Sequence, residues 1–215
     1  MDDELITSIR DNYDRLADEY ARHLFGELAN KPLDCQLLSD FAAQTRGRGE
    51  VCDIGCGPGQ VARYLRDAGA NVFGLDLSPE IISQAQRLNP DVPFREGNML
   101  ALDLQAGELA GIAAFYAIVN IPRGSLPLAF SEMHRALQPG GVLLLGFHVG
   151  TETLRPAELW GKQVSMDWFF FSSAEIEQLL EAAGFIIKEV KVREHYSPDV
   201  EHQSRRAYIF ARKAL

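Results

Sequence analysis

The sequence predicts an α/β fold: a doubly wound, mostly parallel sheet of seven strands with an antiparallel C-terminal hairpin and an N-terminal helical lid. Between residues 50 and 150, short apolar segments alternate with amphipathic segments of helical period. This alternation is typical of right-handed βαβ units, which build parallel sheets. Residues 142–147 are apolar without interruption, as expected for a strand that helices cover on both faces.

Strands and helices are predicted to follow one another in the central part of the chain. The strands cover residues 51–54, 71–75, 92–96, 112–118 and 142–147, and the helices cover residues 60–67, 79–88 and 126–137. The second of these helices has Ser78 as its N-cap residue and Pro79 in its first turn. The third ends at residues 138–141, Gln-Pro-Gly-Gly, which predict a helix terminator and a turn.

Two further helices are predicted before this core, over residues 5–28 and 33–44. In the first of them, apolar residues recur at steps of three and four and form one stripe. The stripe consists of Leu5, Ile9, Tyr13, Leu16, Tyr20 and Leu24. We expect these helices to form a lid.

After the core, one more helix and an antiparallel strand pair are predicted. Residues 172–175, Ser-Ser-Ala-Glu, have capping-box spacing, and Gly184 ends the helix that they begin. The strands cover residues 185–194 and 206–212. Residues 151–171 do not continue the alternation and are rich in Trp and Phe, which indicates a role other than sheet building.

The acidic composition argues against a protein whose main task is to bind nucleic acid. Lys and Arg total 21 against 30 Asp and Glu, whereas neutralising phosphates requires clustered cations. The 3 cysteines and 5 histidines lack ligand-like spacing, so neither disulfides nor a metal site is predicted. No signal peptide and no run of ~18 apolar residues is apparent. We expect a cytoplasmic protein, a monomer or homodimer, without membrane or nucleic-acid partners.

Residues 51–60, Val-Cys-Asp-Ile-Gly-Cys-Gly-Pro-Gly-Gln, carry the clearest functional pattern. An apolar strand runs into three glycines and then into a helix, so a ligand can lie against the backbone at the carboxyl edge of the sheet. The dinucleotide pattern Gly-x-Gly-x-x-Gly would need glycine at Gln60, and Pro58 removes an amide that a phosphate could use. Asp53 is a poor neighbour for a pyrophosphate. The turn therefore favours a positively charged ligand over a nicotinamide dinucleotide.

A second acidic residue ends the next predicted strand. Residues 74–78 read Gly-Leu-Asp-Leu-Ser, which places Asp76 where nucleoside-binding α/β folds hold the ribose hydroxyls. Leu77 beside it can pack on a base. The alternative is that Asp76 only caps the following helix, but two such motifs at the ends of neighbouring strands favour a ligand.

Four motifs together resemble those of class I S-adenosylmethionine-dependent methyltransferases. Residues 51–60 look like motif I of that family, and residues 74–78 look like its acidic second-strand motif. Residues 95–99, Arg-Glu-Gly-Asn-Met, are similar to the third-strand motif, and residues 137–143, Leu-Gln-Pro-Gly-Gly-Val-Leu, to the turn before strand five. The resemblance covers about residues 45–150. It implies a Rossmann-like fold, with S-adenosylmethionine as methyl donor and S-adenosylhomocysteine as product.

The resemblance also implies roles for residues of the first two motifs. Gly55, Cys56 and Gly57 would lie along the methionine part of the cofactor, with Asp53 near its amino group. Asp76 would hold the ribose.

Residues of the later motifs would complete the cofactor site. Leu77 would face the adenine, Asn98 would reach the adenine amino group, and Met99 would offer its backbone amide to the ring. Phe115 and Tyr116, at the end of strand four, would border the methyl donor.

Candidates for acceptor chemistry are few, and each has an alternative. Tyr13 and Tyr20 share a face of the first helix and would either close over the cofactor or belong to the helix core. His148 follows strand five, as a base or as a structural hydrogen-bonding residue. His202 belongs to the cluster 201–206, Glu-His-Gln-Ser-Arg-Arg, which would line an acceptor pocket or form a solvated loop. Tyr13, His148 and His202 are the catalytic candidates.

The first hypothesis is transfer of a methyl group to an oxygen or nitrogen of a small-molecule acceptor by in-line displacement. A methyltransferase acting on RNA or protein, and a non-catalytic S-adenosylmethionine-binding protein, are the alternatives. Gly111 and Asn120 stand where the family often has an acid and a His, so a base role for that His does not transfer. We expect one domain over residues 1–215, with a lid (1–45), a cofactor-binding core (46–150) and a substrate-side segment with the hairpin (151–215).

Overall fold

A seven-stranded sheet forms the centre of the computed structural model, which describes residues 3–215. Its strands are β1 (Glu50–Ile54), β2 (Asn71–Asp76), β3 (Phe94–Glu96), β4 (Leu109–Phe115), β5 (Leu137–His148), β6 (Phe185–Arg193) and β7 (Arg206–Lys213). Their order across the sheet is β6-β7-β5-β4-β1-β2-β3. Strands β1 to β5 are parallel, and β7 is antiparallel to both β5 and β6. The predicted fold class is confirmed.

Helices cover both faces of the sheet. They are α1 (Asp3–Leu24), α2 (Pro32–Thr45), α3 (Gln60–Asp67), α4 (Pro79–Leu88), α5 (Leu126–Ala136) and α6 (Ser173–Ala182). Successive residues of a strand point to opposite faces. Val51 accordingly packs with the apolar residues of α2, α3 and α4. Its neighbour Cys52 packs with those of α5 and α6.

Local sequence signals predicted the helix starts correctly. The Ser78 Oγ accepts a hydrogen bond from the Ile81 N–H across 3.0 Å, and the Ser172 Oγ accepts one from the Glu175 N–H across 3.2 Å. Each bond satisfies a backbone donor that the first turn of a helix leaves unpaired. The helix at Ser172 ends before Gly184, which has a φ of +96°.

The predicted N-terminal helix is too long by one turn. It ends at Leu24, and residues Glu27–Asn30 form a separate 3-10 turn after Gly26. Helix α1 packs on α4, and the Asp14 carboxylate accepts a hydrogen bond from the Ser78 hydroxyl across 2.5 Å. The Asp14 side of α1 therefore faces α4, whereas Leu16 of the stripe packs with Val164 and Met166.

Several predicted strand boundaries in the core also differ from the structure. Strand β3 begins at Phe94 instead of residue 92, and β4 begins at Leu109 instead of residue 112. The strand predicted over 112–118 ends at Phe115, because Tyr116 has a left-handed φ of +57° and a 3-10 turn follows it. Strand β5 begins at Leu137, which pairs with Leu109, so the predicted turn at residues 138–141 lies within the strand as an irregularity.

Residues 151–171, here called the β-arm, form two small antiparallel pairs. Thr153–Leu154 pairs with Trp168–Phe169, and Glu158–Leu159 pairs with Lys162–Gln163. The Asn12 side chain fastens the arm to α1: its amide donates to the Ser165 carbonyl across 3.1 Å and its oxygen accepts from the Ser165 N–H across 2.9 Å. In residues 3–215, no helix has the length and apolar composition needed to span a membrane.

Candidate functional site

A cavity of about 500 Å³ opens at the carboxyl ends of β1, β2, β4 and β5, beneath α1 and the β-arm. The chain passes from β1 to β2 on one side and later to β4 on the other. This is the topological switch point at which open α/β sheets bind ligands. All predicted site residues except Asp53 and Cys56 line the cavity: Tyr13, Tyr20, Gly55, Gly57, Asp76, Leu77, Asn98, Met99, Phe115, Tyr116, His148 and His202.

The glycine turn after β1 forms the floor of this cavity. The N–H groups of Gly55 and Cys56 donate to the Leu75 carbonyl across 2.7 and 3.1 Å, which ties the turn to β2. Gly55 has a φ of +66°, and a Cβ there would lie 2.6 Å from the Ala117 Cβ. A Cβ on Gly57 would lie 3.5 Å from the Tyr20 ring, so this ring covers the turn.

The Asp76 carboxylate connects the two nucleoside-binding motifs. One oxygen accepts a hydrogen bond from the Gly57 N–H across 3.0 Å, and the other accepts from the Ser78 N–H across 3.1 Å. Burial raises the pKa of the carboxyl, and these two N–H groups counteract part of that effect. Ser78 is itself the N-cap residue of α4, so Asp76 supports the turn before the helix while it lines the cavity.

The side chains of Asp53 and Cys56 lie outside the cavity lining, contrary to the expected contact of Asp53 with a ligand. The Asp53 carboxylate is 1% exposed and accepts a hydrogen bond from the Ala62 N–H across 2.9 Å. Burial raises its pKa. Asp53 therefore satisfies a backbone donor in the first turn of α3. The Cys56 side chain belongs to the apolar core on the same face of the sheet as that helix.

Leu77, Asn98 and Met99 follow the ends of β2 and β3, and all three line the cavity there. The Asn98 Oδ1 accepts a hydrogen bond from the Leu100 N–H across 2.9 Å. An amide oxygen has two lone pairs, so one further acceptor position remains. Met99 is half-buried against the core and lines the cavity.

Tyr13 and Tyr20 bring α1 over the cavity. Their rings meet edge to face with centroids 5.4 Å apart. The Tyr13 hydroxyl donates to the Asn120 Oδ1 across 2.7 Å, and the Asn120 amide donates to the Asp167 carbonyl across 2.8 Å. Burial raises the pKa of both phenols, so both are neutral near pH 7.

His148 and His202 come together at the opposite end of the cavity, with ring centroids 6.0 Å apart. The His148 ring stacks on Phe170 at 4.9 Å, and its Nδ1 is hydrogen-bonded to the Ser204 Oγ across 2.8 Å. Burial and the Arg206 charge lower the pKa of His148 well below its usual 6.5. The same two causes lower the pKa of His202.

Phe115 and Tyr116 lie between these two ends of the cavity. The Tyr116 hydroxyl is hydrogen-bonded to the Tyr208 hydroxyl across 3.0 Å and donates to the Asp34 carboxylate across 3.2 Å. Burial raises the pKa of Tyr116.

Among the cavity residues that were not predicted as site residues are Glu27, Lys31 and Gln60. Glu27 forms an ion pair with Lys31 at 2.5 Å and accepts a hydrogen bond from the Gln60 amide across 2.9 Å. The Gln60 Oε1 is buried and has no hydrogen-bond partner within residues 3–215. The spacing of Glu27 and Lys31 predicts an ion pair on a helix, but no local signal indicates that this pair faces the glycine turn.

Comparison with known proteins identifies relatives of this chain. Residues 51–141 match the family model described as a methyltransferase domain. A malonyl-[acyl-carrier protein] O-methyltransferase of Enterobacter lignolyticus is 33% identical over 61% of this chain and 49% of its own length. An uncharacterised methyltransferase of Synechocystis sp. is 30% identical over 68% of this chain and 69% of its own. The chain thus spans about half the length of the first of these relatives.

A solved structure has the same fold over the whole chain. The DhpI–SAH complex superimposes with a TM-score of 0.76 and covers 100% of this chain and 99% of its own, at 24% identity.

Proposed function

The chain belongs to the S-adenosylmethionine-dependent methyltransferase family, and we propose that it methylates an oxygen or nitrogen of a small-molecule acceptor. S-adenosylmethionine is the proposed donor and S-adenosylhomocysteine the product. One observation carries the proposal: the hydrogen bond between Gly57 and Asp76 joins the glycine turn and the acidic strand end inside one cavity.

The residues of the cavity fit a cationic nucleoside better than a diphosphate. The carboxylates of Glu27 and Asp76 both line it, and they would repel a pyrophosphate. The unpaired Gln60 Oε1 lies 3.9 Å from the position of a Cβ on Gly57. An unpaired buried acceptor is costly until a donor reaches it. We therefore assign Gln60 and Glu27 to the cofactor's ammonium group, Asp76 to its ribose and Leu77 to its adenine.

S-adenosylmethionine would supply a methyl group bonded to a sulfonium sulfur, which is a good leaving group. The chain's own contribution is then to align the reactants and to exclude water, which can lower a barrier by ~7–11 kcal/mol. Helix α1 and the β-arm cover the cavity, and Tyr13 links them through Asn120. Because the neutral Tyr13 hydroxyl is engaged with Asn120, we assign it a positioning role.

His148 is the proposed base where the acceptor has a proton to lose. Its lowered pKa leaves the ring neutral near pH 7. When Nδ1–H donates to the Ser204 Oγ, the lone pair of Nε2 is free to accept a proton. General base catalysis contributes about 100- to 10,000-fold.

One observation supports a small-molecule acceptor, and another supports oxygen as the acceptor atom. The cavity of about 500 Å³ has the size of a small-ligand site and lies under α1 and the β-arm. The Enterobacter lignolyticus relative is an O-methyltransferase by name, which supports oxygen as the acceptor atom.

A labelling experiment tests the proposal against its alternatives. The protein is incubated with methyl-labelled S-adenosylmethionine and, separately, with a low-molecular-weight cell extract, total RNA and total protein. We expect label in small molecules only, and far less label with the Asp76→Ala variant. Label in RNA or protein would favour a macromolecular substrate, and binding of the cofactor without any labelled product would favour a non-catalytic protein.

A further inference from the structure

Two buried cations line the cavity at the end that holds His148. Lys31 is 4% exposed and Arg206 is 2% exposed. Both lie near the Tyr116 ring, with the Lys31 Nζ 5.5 Å and the Arg206 Cζ 5.4 Å from its centroid. A buried cation requires compensation by opposite charge or hydrogen bonds. The partners of each cation therefore show which of its donors still lack an acceptor.

The carboxylates near these cations already have full sets of partners. Glu201 accepts hydrogen bonds from Arg193 across 2.5 and 3.0 Å and from the Tyr196 N–H across 2.7 Å. Burial alone would raise the pKa of Glu201, but the bonds from Arg193 lower it, so this residue is ionised near pH 7. Asp34 accepts from Tyr208 across 2.9 Å and from Arg193 across 3.2 Å. Arg193 thus donates hydrogen bonds to both carboxylates.

Arg206, in contrast, keeps an unused donor. Its Nη atoms donate to the carbonyl groups of Ser204 and His202 across 2.5 and 2.9 Å and to the Ser204 Oγ. The nearest carboxylate oxygen, on Glu201, is 3.7 Å away. Its Nε–H is buried and has no partner in the described part of the chain. A buried donor without a partner is unfavourable, and an acceptor atom of a ligand that reached it would remove that cost.

Other donors in the cavity point to the same kind of ligand. The Lys31 ammonium has three donors, and it pairs with Glu27 at 2.5 Å and approaches Glu201 at 3.8 Å. The Trp168 Nε1–H is also buried and unpaired as far as residues 3–215 are concerned. Three acids, Glu27, Asp199 and Glu201, share the lining here. Of these, Glu201 is paired with Arg193, and Glu27 is paired with Lys31 itself.

The cations belong to the acceptor side of the cavity. Arg206 is paired in register with His148, across β7 and β5. Strand β7 is three strands away from β1 and its glycine turn, which is about 14 Å at the usual strand spacing. A ligand group held by Arg206 is therefore expected beside His148 rather than beside Gly57.

We propose that Arg206 and Lys31 bind an anionic oxygen group, a carboxylate or a phosphoryl group, of the methyl acceptor. The acceptor is then a small acid. This inference rests on the proposed function, because it presumes that the glycine-turn end of the cavity holds the cofactor. Arg206 and Lys31 are binding residues that determine specificity, and His148 remains the base.

Calorimetry on protein saturated with S-adenosylhomocysteine tests this proposal. The probes are malonate, benzoate and methylphosphonate, and the neutral matches are malonamide and benzamide. We expect at least one anion to bind and its neutral match to bind at least tenfold more weakly. Comparing the affinities of the two carboxylates with that of methylphosphonate shows which kind of anion is preferred. The Arg206→Gln and Lys31→Gln variants should each lose at least tenfold in affinity for the anion, while Arg206→Lys keeps part of it.

The Arg205→Gln variant is the matched control, because the Arg205 side chain is 55% exposed and pairs with Glu194 outside the cavity. It should bind both ligands as the unmodified protein does. The proposal is overturned if no anion binds to the loaded protein, if the neutral match binds equally, or if neither Gln variant changes anion affinity. It is also overturned if Arg206→Gln weakens S-adenosylhomocysteine binding, which would assign Arg206 to the cofactor. Failure of the unmodified protein to bind S-adenosylhomocysteine would refute the proposed function itself.

Discussion

Asp76 accepts a hydrogen bond from the backbone N–H of Gly57 across 3.0 Å, although the two residues are 19 positions apart in the sequence. Strands β1 and β2 are parallel neighbours, so their carboxyl ends meet at one edge of the sheet. The acidic residue after β2 therefore shapes the glycine turn after β1. Turn and carboxylate form one binding element.

Replacing Asp76 by alanine should weaken binding of S-adenosylhomocysteine. The ribose would lose its acceptor and the Gly57 N–H would lose its partner, a loss of about 1–3 kcal/mol or ~5- to 150-fold in affinity. Isothermal titration calorimetry measures the change. Asp103→Ala is the control, since Asp103 is exposed and outside the cavity lining. An unchanged affinity in Asp76→Ala would mean that another group holds the ribose.

Substitution of Gln60 should weaken cofactor binding, whereas substitution of Asp53 should leave the affinity almost unchanged. Gln60→Leu removes the unpaired Oε1 and should weaken S-adenosylhomocysteine binding by about 1–3 kcal/mol, whereas Gln36→Leu, on the exposed face of α2, should not. Asp53→Asn keeps an oxygen that can accept from the Ala62 N–H, so its affinity should remain within about twofold of the unmodified protein. A large loss of affinity in Asp53→Asn would indicate that this carboxylate contacts the cofactor directly.

The Tyr13→Phe variant should loosen α1. The Asn120 Oδ1 would lose its donor, which costs about 1–3 kcal/mol for a buried acceptor. Hydrogen exchange of the α1 amides should become faster, and S-adenosylhomocysteine should dissociate faster. Tyr64→Phe removes a hydroxyl that is bonded to Ser39 outside the cavity, and it should leave both rates unchanged. Equal exchange in both variants would show that the bond to Asn120 does not hold the helix.

His148 should determine the acid limb of the pH–rate profile once an acceptor is known. A base acts in its deprotonated form, and burial together with the Arg206 charge lowers the pKa of His148. The value of kcat/KM should therefore stay constant through pH 7 and fall only well below pH 6.5. His148→Ala should lose about 100- to 10,000-fold, while His134→Ala, outside the cavity, should not. Full activity of His148→Ala from pH 6 to pH 9 would exclude a base role.

Helix bounds that depend on a few neighbouring residues were predicted correctly from the sequence. The bounds of α3 and α4 match the prediction at both ends, because glycine, Pro79 and the Ser78 cap act over a few residues. The end of α1 was missed because Gly26 interrupts an apolar stripe that itself continues toward residue 28. The early end of β4 depends on the left-handed backbone of Tyr116, a non-glycine residue for which this conformation is uncommon.

Contacts between residues that follow adjacent parallel strands could be predicted from the sequence. Contacts between segments that are far apart in the sequence could not. Asp76 and Gly57 follow adjacent parallel strands, so their proximity follows from the βαβ order. The Asp53 carboxylate was expected in the cavity, but the orientation of one side chain near a strand end depends on the helix that packs there. Lys31 and Arg206 come from opposite ends of the chain, and only tertiary packing brings both to the Tyr116 ring.

Calorimetric titration of the folded protein with S-adenosylhomocysteine is the decisive measurement of whether the cavity binds this nucleoside. We expect saturable binding at one site per chain, weakened by Asp76→Ala and unaffected by an excess of NAD. A folded protein that gives no heat with this nucleoside, or from which NAD displaces it, would refute a cofactor site at the glycine turn.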